Sequence, residues 1–235
     1  MVENMTKHHY NIPSFTLVGN MNKTQIVRLT KYMRTLLKLK ALGMTKVFSS
    51  NLSDPIGEKA HIVRKDFSLL GITGNKRGGF EVDDLIEKIS AILGKNKSQN
   101  AILIGLGRIG DALLNYDGFK KEGISIIAGF DKDPNRIMLP TSIPLYSMAT
   151  IEDFLKANPV EVAILAIPEM EALSTFNKLK DLGVRGFLNF SPTELKCIST
   201  CDKDLCPRPC IVNNVNIGLE LEQIFYQLNI AHAKE

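Results

Sequence analysis

Apolar residues recur at helical spacing through the first part of the chain. Between residues 24 and 42 they return every three or four positions, and Gly43 follows as a residue typical of a helix end. Capping residues and a proline predict a short helix in the next segment. The pattern predicts four helices: residues 24–42, a short helix from Ser49 or from Asp54, residues 58–70 and residues 83–93.

The third of these helices separates apolar from basic residues. Val63, Phe67 and Leu70 share one face and are expected in a core. The other face carries His61, Arg64, Lys65 and Ser68. Three helices ending in a basic one are typical of a helix-turn-helix, whose last helix enters the DNA major groove and reads guanine with Arg or Lys. An ordinary solvated surface helix is the alternative interpretation.

A glycine-rich basic segment follows the third helix. Residues 72–82 place two short extended stretches around a tip that contains Lys76 and Arg77. This arrangement is typical of the wing of a winged helix, and a mobile surface loop is the alternative. Residues 95–100 are polar, and they form the predicted linker to the next domain.

The second part of the chain alternates apolar strands with helices, which predicts a parallel Rossmann-type sheet. Strands are predicted at residues 101–104, 125–130, 160–166 and 186–189, and helices at residues 169–182 and 216–230. The last helix is strongly apolar, so it packs either in the core or on a second subunit. The expected fold is α/β, with an N-terminal winged helix-turn-helix, a Rossmann-type parallel sheet and a C-terminal dimerisation helix.

The turn after the first of these strands has the pattern Gly105-x-Gly107-x-x-Gly110. Gly105 permits the tight turn, Gly107 lets the backbone approach a pyrophosphate, and Gly110 lets helix and strand pack closely. The helix N-terminus supplies partial positive charge and free N–H donors. The motif predicts a dinucleotide site, and the intervening Leu106, Arg108 and Ile109 belong to the same loop.

Asp131 ends the second strand, 21 residues after Gly110. A Rossmann unit places there the carboxylate that accepts from the adenine-ribose hydroxyl. Because a carboxylate repels a 2′-phosphate, the position favours NAD(H) over NADP(H), although the adjacent Lys132 could partly compensate. A helix cap or turn former is the alternative role. Ile167 and Pro168 end a later strand, where the nicotinamide half is expected.

Charge is divided unevenly between the two parts of the chain. Residues 1–99 hold 16 Lys and Arg against 8 Asp and Glu, whereas residues 100–235 hold 13 against 17. A basic first part indicates contact with a polyanion such as DNA, and a lysine-rich solvated surface is the alternative. The expected domains are a flexible leader 1–22, a winged helix 23–94, a linker 95–100, a Rossmann domain 101–215 and a terminal helix 216–235.

The sequence disfavours an enzyme. A dehydrogenase needs a proton donor beside the transferred hydride, commonly His or Lys. All four histidines lie outside residues 62–231, and no substrate domain is evident. The competing hypothesis is an NAD-dependent oxidoreductase with an added basic domain. The chain also shows no secretory signal and no apolar run of membrane-spanning length, so we expect a cytoplasmic protein.

These motifs resemble the Rex family of redox-sensing transcriptional repressors over residues 24–230. The resemblance is carried by residues 63–71, 76–80, 104–110, 115–119 and 186–192. It implies a homodimer with exchanged terminal helices that binds inverted-repeat operator DNA and releases it when NADH binds. It also implies that Arg64 and Lys65 reach bases, that Ser49 and Ser50 contact phosphates, and that Lys76 and Arg77 enter the minor groove. Ser68 belongs to the basic face of the third helix, where a hydroxyl is expected to contact phosphate.

The resemblance further implies a switch that joins an arginine, a tyrosine and an aspartate. Arg34 and Tyr116 match this pattern, but the third position is Asn216. An amide cannot form the same charge-assisted pair with an arginine. We therefore expect a switch geometry that differs from the family's pattern.

Four cysteines cluster near the C-terminus at Cys197, Cys201, Cys206 and Cys210. Four thiolates at this density could bind zinc or an iron–sulfur cluster, although the spacing matches no standard pattern. Reduced cysteines or a reversible thiol pair are the alternatives. If a metal is the main ligand, the nucleotide site could be vestigial.

Overall fold

The computed structural model describes residues 21–75, 78–138, 140–197 and 210–232. It divides into two units, the first ending at Lys97 and the second beginning at Ser98. Each unit encloses a hydrophobic core of its own.

The first unit packs helices around a small core. Its elements are α1 Lys23–Ala41, β1 Lys46–Val47, α2 Ser49–Ser53, a 3-10 turn Asp54–Ile56, α3 Ala60–Leu69, β2 Phe80–Glu81 and α4 Val82–Ile92. Helix α1 begins with a capping box between Asn22 and Gln25, and its apolar face buries Tyr32. The Tyr32 and Phe67 rings meet edge to face with their centroids 5.7 Å apart, which joins α1 to α3 in this core.

The predicted wing differs from the observed one. Residues 72–75 do not form a regular strand: a single bridge joins Asn75 to Gly79, and Phe80–Glu81 pairs antiparallel with Lys46–Val47. Ile72 is buried in the core, so residues 72–75 follow the core and do not form a β-ladder with the next stretch. Gly79 has φ +70, and a Cβ there would strike the carbonyl of Val47, so the turn into β2 requires glycine. Lys76 and Arg77 lie outside the described residues.

The second unit is a six-stranded, all-parallel sheet in the order β5-β4-β3-β6-β7-β8. Its strands are β3 Gln99–Ile104, β4 Ile124–Asp131, β5 Leu145–Ser147, β6 Val162–Leu165, β7 Gly186–Asn189 and β8 Ile211–Asn214. This is the 3-2-1-4-5-6 order of nucleotide-binding Rossmann folds. The strand order reverses between β3 and β6, so a crevice is expected outside their carboxyl ends.

Helices of very different length accompany the sheet. They are α5 Arg108–Leu114, α6 Gly118–Lys121, α7 Pro134–Ile137, α8 Ile151–Ala157, α9 Glu169–Asp181 and α10 Ile217–His232, with a 3-10 turn at Met148–Thr150. Strand β5 and helix α8 were not predicted, because elements of three and seven residues carry too little periodicity. The strand predicted at residues 160–166 is shorter, Val162–Leu165.

Helix α10 buries none of its residues within this chain. Its most exposed apolar side chains include Ile217, Ile224, Phe225 and Tyr226, each more than half accessible. The interpretation of this helix as ordinary core is therefore wrong for the single chain. Among the described residues, no helix is both long and apolar enough to cross a membrane.

Candidate dinucleotide site and nucleic-acid interface

The glycine loop lies where the sheet order reverses. Gly105 donates its N–H to the carbonyl of Phe130 at 2.8 Å, and Ala166 donates to Ile104 at 2.8 Å, so three strand ends converge. Gly105 has φ +91, and a Cβ there would strike the carbonyl of Ala166. Only glycine fits this conformation and this approach.

Gly107 and Gly110 meet different surroundings. Gly107 is the N-cap of α5, and a Cβ on it would meet no atom within 4 Å, so its backbone faces open space. Gly110 is buried, and a Cβ there would collide with the carbonyl oxygen of Gly105. The first glycine leaves room for a ligand, whereas the second allows the helix to pack on the loop.

A cavity of about 800 Å³ opens at this edge of the sheet. The predicted residues that line it are Gly105, Gly107, Arg108, Ile109, Asp131, Lys132, Ile167 and Pro168. Leu106 does not line it: its side chain is fully buried in the core, and only its backbone borders the loop. The volume falls within the range of about 300–1,000 Å³ typical of small-molecule sites.

Asp131 is fixed by two backbone donors. Its Oδ2 accepts from the Leu106 N–H at 2.7 Å, and its Oδ1 accepts from the Asp133 N–H at 2.9 Å. The carboxylate thus forms the turn and also ties the glycine loop to the end of β4. Because each carboxylate oxygen has a second lone pair, Asp131 can still accept from a ligand in the cavity.

Three charged residues that line the cavity were not predicted from the sequence: Asp133, Arg136 and Glu171. The Lys132 ammonium lies 2.5 Å from Glu171 Oε1, and this partner raises the pKa of Lys132 above its usual value. Arg136 donates to the carbonyl of Leu106 at 3.5 Å. No local sequence signal could identify Glu171, because it is 39 positions from its partner Lys132. The Asp133-Pro134 pair marks the start of helix α7, and this signal could have placed Arg136 near the loop.

A buried amide holds the opposite wall of the cavity. Asn189 is fully buried; it donates to Asn214 Oδ1 at 2.8 Å and to the Thr193 carbonyl at 2.7 Å. Its Oδ1 accepts from the Ser191 hydroxyl at 2.7 Å and from the Ser191 N–H at 3.0 Å. These bonds fix the segment that carries Phe190 and Pro192, which line the cavity.

The basic face of α3 borders a second cavity of about 500 Å³ in the first unit. Arg64, Ser68, Ser50 and Ser49 line it, and Lys65 lies exposed on the same helix outside it. Ser49 is only 7% exposed, so Ser50 offers the more accessible hydroxyl. The structure thus groups five of the seven predicted DNA-contacting residues, and the other two are the undescribed Lys76 and Arg77.

Helix α3 is bound to α1 by a buried ion pair that sequence reasoning missed. Arg28 donates to both oxygens of Asp66, at 2.8 and 2.7 Å, and the Tyr32 hydroxyl donates to Asp66 at 2.9 Å. The bidentate bond raises the pKa of Arg28, and burial, followed by the bond to Asp66, raises the pKa of Tyr32. Asp66 is buried next to the exposed Lys65. Its bonds to α1 therefore hold the buried side of α3 in place while the basic side stays exposed.

The three predicted switch residues are divided between the two units: Arg34 lies in the first, and Tyr116 and Asn216 lie in the second. Arg34 is exposed on α1, in the first unit. In the second unit, Tyr116 is 59% exposed and packs edge to face on Phe119 with ring centroids 5.1 Å apart. Asn216 Oδ1 accepts from the Leu219 N–H at 3.1 Å, so this side chain caps helix α10.

Two of the four cysteines fall within the described residues. Cys210 donates its N–H to Cys197 Sγ at 3.4 Å, and burial raises the pKa of the Cys210 thiol. Cys201 and Cys206 lie outside the described residues. The described part of the chain contains no group of three metal-ligating side chains, so zinc or iron–sulfur binding stays a prediction without structural support.

Comparisons with known proteins separate the same two regions. A family model described as "Putative DNA-binding protein N-terminus" matches residues 23–68, and a model of a CoA binding domain matches residues 96–193. The redox-sensing transcriptional repressor Rex of Thermosipho africanus is 38% identical over 73% of this chain and 83% of its own length. That of Clostridioides difficile is 35% identical over 89% and 97%.

Solved structures agree with these sequence matches. The crystal structure of RSP, a Rex-family repressor, in complex with β-NAD+ and operator DNA has a TM-score of 0.80 and 30% identity, covering 91% of this chain and 94% of RSP. RSP in complex with β-NADH has a TM-score of 0.71 and 30% identity, with 91% and 97% coverage.

Proposed function

Because this chain belongs to the Rex family of redox-sensing transcriptional repressors, we propose that it represses transcription in response to the NADH/NAD+ balance. It binds inverted-repeat operator DNA as a homodimer and releases that DNA when NADH binds. The observation that carries this proposal is one chain with both a dinucleotide cavity at a Rossmann switch point and a separate basic helix face.

The cavity residues fit a dinucleotide. The open backbone at Gly107 and the Arg108 side chain would receive the pyrophosphate. Asp131 would accept from the adenine ribose, while Ile167 and Pro168 would border the nicotinamide half. A bound dinucleotide supplies the redox signal through its nicotinamide ring. Rex relatives are repressors, so the cavity serves as a sensor and the competing oxidoreductase hypothesis is not favoured.

The basic face of α3 would supply the DNA contacts. Arg64 and Lys65 would read base edges in the major groove. Hydroxyls of Ser50 and Ser68, with Ser49 at the start of α2, would hold phosphates and set the register. Lys76 and Arg77 would reach the minor groove from the wing. RSP, which shares 30% identity with this chain, has been solved with operator DNA.

A homodimer would account for the exposed helix α10. Helix α10 exposes apolar side chains along its whole length, and a second copy of this chain would cover them. A two-fold dimer presents two copies of α3 to two half-sites, which is why its operator is an inverted repeat.

Release by NADH is a shift between two states of the dimer. A ligand moves such an equilibrium only by its preference for one state over the other. NADH would favour the state whose recognition helices miss the half-site spacing. Arg34, Tyr116 and Asn216 are the proposed switch residues, with an amide at the third position that already caps α10.

The remaining assignments follow from this role. We assign residues 1–22 to a leader, 23–94 to DNA binding, 95–100 to a linker, 101–215 to cofactor binding and 216–235 to the exchanged helix. Such a repressor acts where the operator DNA is, so we place it in the cytoplasm. Zinc or an iron–sulfur cluster on Cys197, Cys201, Cys206 and Cys210 is a separate proposal, which metal analysis of anaerobically purified protein would test.

The DNA-binding half of the proposal can be tested directly. Duplexes selected from a random pool on the purified full-length protein should converge on an inverted repeat. Arg64→Ala should weaken binding by about 1–3 kcal/mol and relax selectivity at one position of each half-site. The control is Lys88→Ala, which removes a cation paired with Asp84 on α4. Selection without an inverted repeat, or equal losses in both variants, would refute the proposal.

A further inference from the structure

The cofactor cavity has balanced charge. Among the described residues, six charged side chains line it, three basic and three acidic: Arg108, Lys132, Arg136, Asp131, Asp133 and Glu171. Loss of any one carboxylate would leave a net positive site that attracts a more anionic ligand.

The positions of the charged side chains in the cavity matter as much as their net charge. Asp131 marks the place where a Rossmann site meets the adenine ribose, and Lys132 is its neighbour in the chain. A cation at this position can bind the 2′-phosphate that distinguishes NADPH from NADH. The charge of Asp131 alone therefore does not explain how this cavity would reject NADPH.

Glu171 forms an ion pair with the Lys132 ammonium. It lies in the first turn of α9, on the far wall of the cavity, and its Oε1 is 2.5 Å from Lys132 Nζ. Its bond to Lys132 is the largest cause of the raised pKa of that lysine. The Lys132 side chain is 70% exposed, so its ammonium could bind a phosphate if the Glu171 carboxylate were removed.

We propose that Glu171 determines cofactor specificity: by holding the Lys132 ammonium across the cavity, it denies a 2′-phosphate its counter-ion. The carboxylate also adds its own repulsion toward a phosphate. Both effects favour NADH over NADPH. The inference rests on the proposed function, because it assumes that this cavity takes NAD(H).

The variant Glu171→Gln tests the inference with little change of shape. Its helix contacts through the backbone, from the Glu171 N–H to Pro168 and from Ser174 to the Glu171 carbonyl, do not involve the carboxylate. Calorimetric titration of the full-length protein with NADH and with NADPH gives the ratio of their dissociation constants. We expect NADPH binding to tighten about tenfold, with NADH binding changed less than about threefold.

Two further variants separate the causes. The double variant Glu171→Gln with Lys132→Met should lose most of the gain in NADPH affinity, because the freed ammonium is gone. Glu152→Gln is the matched control: it breaks the exposed Glu152–Lys156 pair in the same unit, outside the cavity, and should leave both affinities unchanged.

The outcomes distinguish this inference from the proposed function. NADH binding with an unchanged NADPH affinity in Glu171→Gln would overturn the role of Glu171 alone. An equal gain in the double variant would show that Lys132 is not the counter-ion and would also overturn it. Failure of the unmodified protein to bind NADH would overturn both this inference and the sensor function.

Discussion

At the scale of single residues, the glycine loop shows how one motif serves two purposes. Gly105 and Gly110 are glycines because the protein's own backbone crowds them. Gly107 faces open space, so nothing in the fold itself forbids a side chain there. Its identity is explained only by a ligand that must approach the backbone.

Substitution of Gly107 and Gly110 should therefore separate ligand binding from folding. Gly107→Ala should leave thermal unfolding nearly unchanged, because φ is −69 and the space is open, yet weaken NADH binding at least about tenfold. Gly110→Ala should destabilise the second unit by about 1–3 kcal/mol, since its Cβ overpacks against the Gly105 carbonyl. Calorimetric titration and circular dichroism measure the two effects, and equal loss of stability in both variants would contradict this explanation.

The sequence predicted the residues that act through local geometry. The three glycines and Asp131 follow from spacing within one βαβ unit. The sequence did not predict Glu171 or the Arg28–Asp66 pair. The Lys132–Glu171 and Arg28–Asp66 contacts join positions 39 and 38 apart, which meet only after folding. Leu106 was predicted in the site as part of the loop, but alternation along the turn points its side chain into the core.

At the scale of elements, the helices of the first unit were predicted within about two residues because amphipathic periodicity is a local signal. The wing was predicted less well. Its strand β2 pairs with β1, which lies 34 residues earlier, rather than with the preceding stretch. Such non-local pairing leaves no trace in a glycine-rich segment.

The orientation of α3 depends on its ion pair with α1. Asp66→Asn should destabilise the first unit by about 3 kcal/mol, because it leaves the largely buried Arg28 without its carboxylate. Asp83→Asn removes a carboxylate from the exposed Lys40–Asp83 pair and should change stability by less than about 0.5 kcal/mol. Thermal unfolding of the full-length chain measures both, and similar stabilities would rule out a structural role for the buried pair.

The same cluster predicts a pH dependence. The folded protein raises the pKa of Tyr32, so its protonated hydroxyl stabilises the fold below the ordinary tyrosine pKa of about 10. This stabilisation is lost as the pH rises through the higher folded value. Tyr32→Phe should therefore flatten the alkaline decline in the unfolding temperature of the first unit. An identical decline in both proteins would contradict the assignment to Tyr32.

At the scale of the whole molecule, helix α10 is incomplete without a partner. Phe225 is 63% exposed on a helix that buries no residue within its own chain. Phe225→Asp should convert the homodimer to monomer and weaken inverted-repeat binding by at least about a hundredfold, since a monomer holds one half-site. NADH binding should be retained. Sedimentation velocity decides the matter, with Glu222→Gln on the same helix as the control, and an unchanged dimer would refute this role for α10.

We claim that NADH acts as a signal that releases a preformed protein–DNA complex. The most direct measurement is the fluorescence anisotropy of a labelled operator duplex bound to the full-length protein, titrated with NADH and separately with NAD+. NADH should release the duplex, NAD+ should not, and Gly107→Ala should shift release to higher NADH concentration. If NADH saturates the protein, as calorimetry would report, and the duplex stays bound with unchanged affinity, the claim is wrong.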